Sequence, residues 1–453
     1  MAKQPPPPRK APYQEGITVV TPIKPGQTAS LIELLTRIGG DVEGNEFIPF
    51  LLLKTIHFAR FVVLEESHDA RGRPTPASLI LSTNFDGDVD DHLGEFFDQA
   101  TAGLNLIYDH CEGYPPPQGR ERSAVVRYLR NHDIGYNTLY VGTRGLTVRQ
   151  IQEEAVLREA IEGYLDDAGR QHGFKGESPE KVRAGIQAFV RSRSDLAWAS
   201  QDPPSPRRIW PHGRDLLPFA ALGILALGFL GALVVGSWRA RLLVIAIPLA
   251  LFGLWLIVLR YKEKRDEQHP AETDFQHVAT LASKEDRFVQ NQMSAVNNVK
   301  PGLFRITTLR FVLWAFDLAG RYIYTKGSLG SIPSIHFARW VVIDGGRRVV
   351  FFSNFDGSWE NYLGDFIDKA ASGLTAVWSN TFGFPRTRFL LGDGATDEQR
   401  FKAYARNSQV VTQVWFTAYK WLSVQNITNN SVIRAGLFAE QTPAETAAWL
   451  RRL

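Results

Sequence analysis

The chain carries one cysteine, Cys111, among 453 residues, which excludes any disulfide within it and leaves nothing that asks for an oxidising compartment. Charge of one sign is also scarce. Lys and Arg number 51 against 47 Asp and Glu, an excess too small for a nucleic-acid-binding surface. There is no Cys-x-x-Cys, no His-Glu-x-x-His and no acidic calcium loop, so no metal motif is present. A phosphate loop, a dinucleotide-binding glycine fingerprint and a Gly-x-Ser-x-Gly elbow are missing as well. What is there is ordinary globular composition, 44% hydrophobic and 22% charged, over a length sufficient for two or three domains with their own cores. Residues 1–16 hold Pro5 to Pro8 and no apolar core, and read as a disordered Pro-rich segment rather than a signal peptide.

Two apolar runs stand out. Residues 216–236 contain 21 positions without a charge and 242–259 another 18. At about 1.5 Å per helical residue each run reaches the ~30 Å of bilayer hydrocarbon, so the expectation is an inserted transmembrane helical hairpin over 216–259. Arg207, Arg208 and Arg214 precede it, and Arg260, Lys262, Lys264 and Arg265 follow it. By the positive-inside rule both flanks are cytoplasmic. The chain is thus expected to be integral to the inner cell membrane, with lipid as one partner and both soluble modules in the cytoplasm.

The strongest signal is an internal repeat. Ile56-His57-Phe58-Ala59-Arg60 recurs as Ile335-His336-Phe337-Ala338-Arg339, and Asn84-Phe85-Asp86-Gly87 recurs as Asn354-Phe355-Asp356-Gly357. Weaker matches keep the same order, from Lys24-Pro25-Gly26 with Lys300-Pro301-Gly302 to Arg130-Asn131 with Arg406-Asn407. The offset is 276 at these outer matches, 279 at the histidines and 270 at the aspartates, so length changes fall in loops between the matches. The domain map is then a first α+β module over 17–165, a linker over 166–215, the hairpin over 216–259, a linker helix over 260–290, a second module over 291–440 and a tail over 441–453.

Each copy reads as strand, helix, strand, strand, helix, strand. In the first these are Ile17–Ile23, Thr28–Ile38, Lys54–Leu64, Ala77–Thr83, the amphipathic Val89–Tyr108 and Tyr136–Val141. Thr147 and Ser423 read as N-caps of a closing helix in each copy. That order resembles the ferredoxin-like βαββαβ module, and two such modules packed face to face would build the dimeric α+β barrel within one chain.

The repeated polar residues are the candidates for chemistry. Asp86 and Asp356, each followed by glycine, suit either a helix cap with a left-handed turn or a carboxylate acting as acid or base. His57 and His336 sit in apolar strands and suit either hydrogen-bonded core histidines or metal or haem ligands. Arg60 and Arg339, among Phe, Ala, Val and Ile, need a partner, which is either a protein carboxylate or an anionic ligand. If Gly345 and Gly346 form a two-residue turn, positions whose numbers sum to 691 face each other. Arg339 then lies diagonally to Asn354 on one face, with His336 opposite Phe355 on the other. Arg60 and Asn84 should repeat the pairing, making Arg60, Asn84, Arg339 and Asn354 the expected ligand-binding residues.

The segments Thr83 to Gly87 and Ser353 to Gly357 also resemble the Gly-x-x-Asp-Gly segment of the dye-decolourising haem peroxidases, with Thr83 or Ser353 in place of the leading glycine. That resemblance implies a catalytic role for Asp86 or Asp356, haem as the cofactor and a histidine of the second half, His336, as iron ligand. Two functional readings follow. One is a membrane-anchored barrel that binds a small or amphiphilic ligand. The other is a membrane-tethered haem oxidoreductase.

Overall fold

A computed structural model describes residues 14–170, 173, 174, 176–201, 226–228, 230, 231, 237–270, 272–324, 329 and 331–453. The fold is mixed α/β with antiparallel sheets. The first copy supplies β1 (Gln14–Pro22), β2 (Ile56–Leu64), β3 (Ser78–Asp86) and β4 (Thr138–Val141). The second supplies β5 (Gln290–Asn298), β6 (Ile335–Ile343), β7 (Arg348–Asp356) and β8 (Val414–Thr417). The strands run β1-β3-β2-β8 in one sheet and β4-β6-β7-β5 in the other. The last strand of each copy therefore leaves its own sheet: β8 lies on β2 with Trp415 opposite Arg60, and β4 lies on β6 with Leu139 opposite Arg339. Instead of two self-contained modules, the copies exchange their fourth strands.

The helices are, in chain order, α1 (Thr28–Gly40), α2 (Val89–Tyr108), α3 (Arg122–His132), α4 (Val148–Arg170), α5 (Pro179–Ser192), α6 (Trp238–Lys264), α7 (Phe275–Ala282), α8 (Leu303–Tyr322), α9 (Trp359–Trp378), α10 (Glu398–Ser408), α11 (Val424–Leu437) and α12 (Pro443–Leu450). α1, α2 and α3 bury Leu31, Leu35, Phe96, Leu104 and Leu129 against Val19, Phe61 and Leu81 on the outer face of the first sheet. α8, α9 and α10 do the same for the second, through Leu309, Leu313, Phe366 and Phe401. Each copy thus has one helix, α3 or α10, beyond the expected order.

The inner faces of the sheets fill the space between them. Val62, Leu64 and Ile80 meet Val341, Ile343, Val350 and Phe352 at one end, while Phe58, Leu139, Phe337 and Tyr419 cluster at the other. The β6–β7 turn has four residues, Asp344 to Arg347, with Gly345 and Gly346 at φ 65° and 98°. The register that sums to 691 holds from Phe337 opposite Asn354 to Ile343 opposite Arg348. It breaks at His336: Ile335, not His336, opposes Phe355, and the same bulge occurs at His57. A bulge re-aims one side chain. Both imidazoles consequently join the inner cluster beside Phe58, Phe337 and Tyr419, on the face the arginines occupy, and not on the opposite face as the unbroken register required.

The expected hairpin is overturned. Of its two arms, 216–236 falls almost wholly outside the described residues and 242–259 lies in α6, which has Pro248 in its interior. Among the described residues no helix is long and apolar enough to cross a membrane, which removes the transmembrane hairpin, the integral-membrane localisation and the membrane part of the fold class. The charged end of α6 belongs to the second module instead. Buried Glu263 accepts bonds from Thr387 Oγ1 and from the Phe389 and Leu390 amides, and Arg260 donates to the Thr387 carbonyl.

Two other segments differ from expectation. The linker 166–215 contains α5 and the tail 441–453 contains α12; together with α4 and α11 they bury Leu157, Ile186, Val190, Leu437 and Trp449 in one cluster. The expected disordered segment 1–16 lies outside the described residues up to residue 13, and 14–16 are already part of β1.

Candidate functional site

Arg60 and Arg339 are each almost fully buried, and each reaches across to the opposite sheet. Arg60 donates to the carbonyls of Met293 (2.9 Å) and Ser353 (3.0 Å), to Ser294 Oγ and Gln292 Oε1, and to Asn354 Oδ1. Arg339 donates to the carbonyls of Ile17 and Thr83 and to Thr18 Oγ1. Ile17 pairs with Thr83 and Met293 with Ser353, so each guanidinium grips one cross-strand pair of the other sheet. The expected pairing of Arg with Asn within one copy does not form; Arg60 meets Asn354 of the other copy, and Asn84 Nδ2 is buried without a partner among the described residues. Burial holds the Arg60 guanidinium down to about 9, with the nearby charge of Arg339 adding to it, and burial holds Arg339 at about 10. Both stay charged at neutral pH. Neither makes an ion pair among the described residues; neutral acceptors offset the cost of burying the two charges, helped at Arg339 by the more distant Glu15 and Asp133.

The histidines and aspartates form a second repeated unit. His57 Nε2 bonds Asp86 Oδ1 at 3.0 Å, and Asp86 Oδ2 accepts the Val148 amide at 2.7 Å. His336 Nε2 bonds Asp356 Oδ1 at 2.7 Å, and Asp356 Oδ2 accepts the Val424 amide at 2.8 Å. Val148 and Val424 are the first residues of α4 and α11, whose exposed amides and dipole favour a carboxylate. Thr147 Oγ1 and Ser423 Oγ accept one further amide each. The helices served are therefore not α2 and α9, which Asp88 and Ser358 cap. Gly87 and Gly357 turn the chain after each aspartate at φ 106° and 79°, where a side chain is strained.

The two units differ at one point. Tyr419 Oη lies 2.7 Å from His57 Nδ1, whereas Thr143 holds the matching position in the first copy, and Thr143 Oγ1 and His336 Nδ1 both lack partners among the described residues. Burial, then the charges of Asp86 and Asp356, push the Tyr419 hydroxyl well above its usual value. With every carboxylate oxygen engaged, Asp86 and Asp356 anchor helices; Asp86 is buried, and the Asp356 side chain is 14% exposed. The imidazoles do not fit an iron ligand either: each is fully buried with Nε2 given to an aspartate, and aromatic rings lie 5 to 6 Å from their centroids.

The open space lies at a seam instead. Beyond the backbone bond from the Val410 amide to the Ser294 carbonyl, side chains bridge β5 and the strand β8, Thr412 and Thr417 bonding Gln292 and Gln290, and beside them a cleft of about 360 Å³ opens to solvent. The other seam, between β1 and β4, is covered by α8: Thr138 Oγ1 donates to the Leu313 carbonyl, Arg144 to that of Gly320, and the Leu139 amide to Asp317. The difference is helix length, 13 residues in α1 against 20 in α8. α1 stops at Gly40, just past Gly39, where a Cβ would stand 1.9 Å from the Gln413 carbonyl oxygen.

Trp415, where the first copy has Leu139, lines this cleft and bonds Asn354 through Nε1. Gln292 Oε1 collects donors from Arg60, Ser294 and Thr412, and its Nε2 has no partner among the described residues while the side chain lines the cleft. The acids of the lining have partners: Glu43 pairs with Lys420, Asp286 accepts from Asn291, and Asp41 accepts the Gly44 amide. Lys284 and Arg287 make no ion pair among the described residues, and Lys284 is lowered by burial and then by the charge of Arg287. None of these cleft residues stood out in the sequence, because they are the positions where the two copies differ. Of the expected ligand-binding residues, Arg60 and Asn354 touch the cleft through Gln292 and Trp415, while Arg339 and Asn84 do not. No protein-family model, no curated protein and no solved structure matches this chain.

Proposed function

We propose that the protein is a binding module and that the β5–β8 cleft takes a small amphiphilic molecule bearing a carboxylate or similar anionic group. The observation that carries this reading is the pair Lys284 and Arg287, two cations that make no ion pair among the described residues and donate only to the Thr412 and Ser283 carbonyls, beside Glu43 paired with Lys420 and Asp41 and Asp286 hydrogen-bonded to neutral groups. The Nε2 of Gln292 supplies a third donor, and Trp415 and Phe288 supply apolar surface. Pockets of this kind combine apolar walls with a few placed polar groups. Charge-assisted bonds to the anion would fix its orientation.

The test is isothermal titration of the full chain with medium-chain and aromatic carboxylates. Saturable binding is expected, weakened roughly tenfold or more in Lys284→Gln and Arg287→Gln. Trp415→Leu, which copies the covered seam, should weaken it through lost apolar contact. Binding unchanged in the two charge variants, or absent from the wild type, overturns the reading.

A further inference from the structure

Residues that both copies share serve the fold, so a charged cluster completed by residues that only one copy has is the place to look for something more; here Lys300 repeats Lys24, and the other charges are added around it. Such a cluster lies where α6 ends against the start of α8. A cleft of about 380 Å³ there is lined by Lys262, Arg265, Lys300 and Arg305 together with Asp266 and Glu267. Arg305 corresponds to Ala29 in the first copy, and Lys262 to Glu267 belong to the segment inserted between the copies. Neither is demanded by the repeated fold.

Arg305 is 2% exposed. Its Nη2 bonds Asp266 at 2.8 Å, yet its Nη1 has no hydrogen-bond partner among the described residues. A buried guanidinium nitrogen left without an acceptor carries a desolvation cost. Lys300 Nζ donates to Asp266 Oδ2 and to the Ser379 carbonyl. Burial lowers Lys300 to about 8, partly offset by Asp266. The 20-residue helix α8 begins at Leu303, and no side chain caps its N-terminus; Pro301 ahead of it and Arg305 in its first turn line the cleft, which sets the positive end of the helix dipole beside it. Four basic and two acidic lining residues leave two positive charges, the complement of a phosphate dianion.

We propose that this cleft is a second binding site, separate from the β5–β8 cleft, and that it takes the phosphate group of a small phosphorylated molecule. Arg305 and Lys300 would hold the inner oxygens at the α8 N-terminus, with Arg265 and Lys262 closing over the outer side. Phosphorus NMR titration of the full chain with inorganic phosphate, at ionic strength fixed with chloride, tests it. Saturable binding is expected, weakened roughly tenfold or more in Arg305→Gln and in Arg265→Glu. Arg265 is exposed, so its variant should keep the wild-type circular dichroism and decides the matter alone if Arg305→Gln fails to fold. Absence of saturable binding in the wild type, or undiminished binding in folded Arg265→Glu, overturns the proposal. Neither result bears on the carboxylate cleft.

Discussion

Arg60 and Arg339 cross between the two sheets in opposite directions, each binding the backbone carbonyls of one strand pair on the far side. They are the same residue of the repeat, and their targets are related in the same way. Replacing either by Met should cost about 2–4 kcal/mol, because buried carbonyls lose charged donors; urea unfolding would measure it. The two variants should part company on ligand binding. Arg60→Met frees Gln292 and should weaken the carboxylate cleft, while Arg339→Met, which touches the covered seam, should not. Equal affinities would show that Arg60 does not position the cleft.

Asp86→Asn and Asp356→Asn should each lower stability by roughly 1–3 kcal/mol, since each removes a charged acceptor from a helix N-terminus and from a buried imidazole. A loss of ligand binding at unchanged stability would instead mark these carboxylates as site residues.

His92 and Tyr362 occupy the same place in the two copies. His92 Nε2 meets Thr83 Oγ1 at 2.8 Å and its ring stacks on Phe85; Tyr362 donates to Ser353 Oγ at 2.6 Å and stacks on Phe355. Burial lowers His92 from 6.5 to about 3. Between those values the unfolded chain holds a proton that the folded chain lacks, so stability falls as pH drops from about 6.5 toward 3. The slope from this one group is at most about 1.4 kcal/mol per pH unit. His92→Tyr should remove that part of the acid sensitivity and change little at pH 8, as read from denaturation midpoints across pH. An unchanged pH profile would contradict the neutral, buried histidine.

Gly39→Ala should push α1 off β8, because the new methyl would overlap the Gln413 carbonyl. A loss of about 2 kcal/mol or more is expected, with carboxylate affinity falling too, since Gly39 and Gln413 both line the cleft. Thermal unfolding and titration on the same sample would check both.

Much of the architecture was legible in the residues themselves. The period of Val89–Tyr108 and its twin, the repeated Asp-Gly turns, and the turn at Gly345 and Gly346 fix local elements and most of one register, because they depend on neighbours in the chain. The nine extra residues between β2 and β3 fall where charge, Gly and Pro cluster, and there they form a small ribbon, Ser67–His68 with Pro74–Thr75. The apolar run over 242–259 does form a helix, but its length and hydropathy alone did not tell which environment it meets.

Other features were decided only in three dimensions. The exchange of β4 and β8 leaves no local trace, since an edge strand has the same pattern whichever sheet it joins. The bulges at His57 and His336 depend on what each imidazole meets, the aspartate that ends the neighbouring strand and the aromatic rings of the inner cluster, and so move the histidines to the inner face against the simple alternation. Comparing the copies picked out Arg60, Arg339, Asp86 and Asp356 because the fold constrains both halves alike. The clefts arise from the opposite cause, a short α1 and an inserted charged segment that break the symmetry. What repeats could be read from the chain; what differs acquired meaning only once packing showed which seam stayed open.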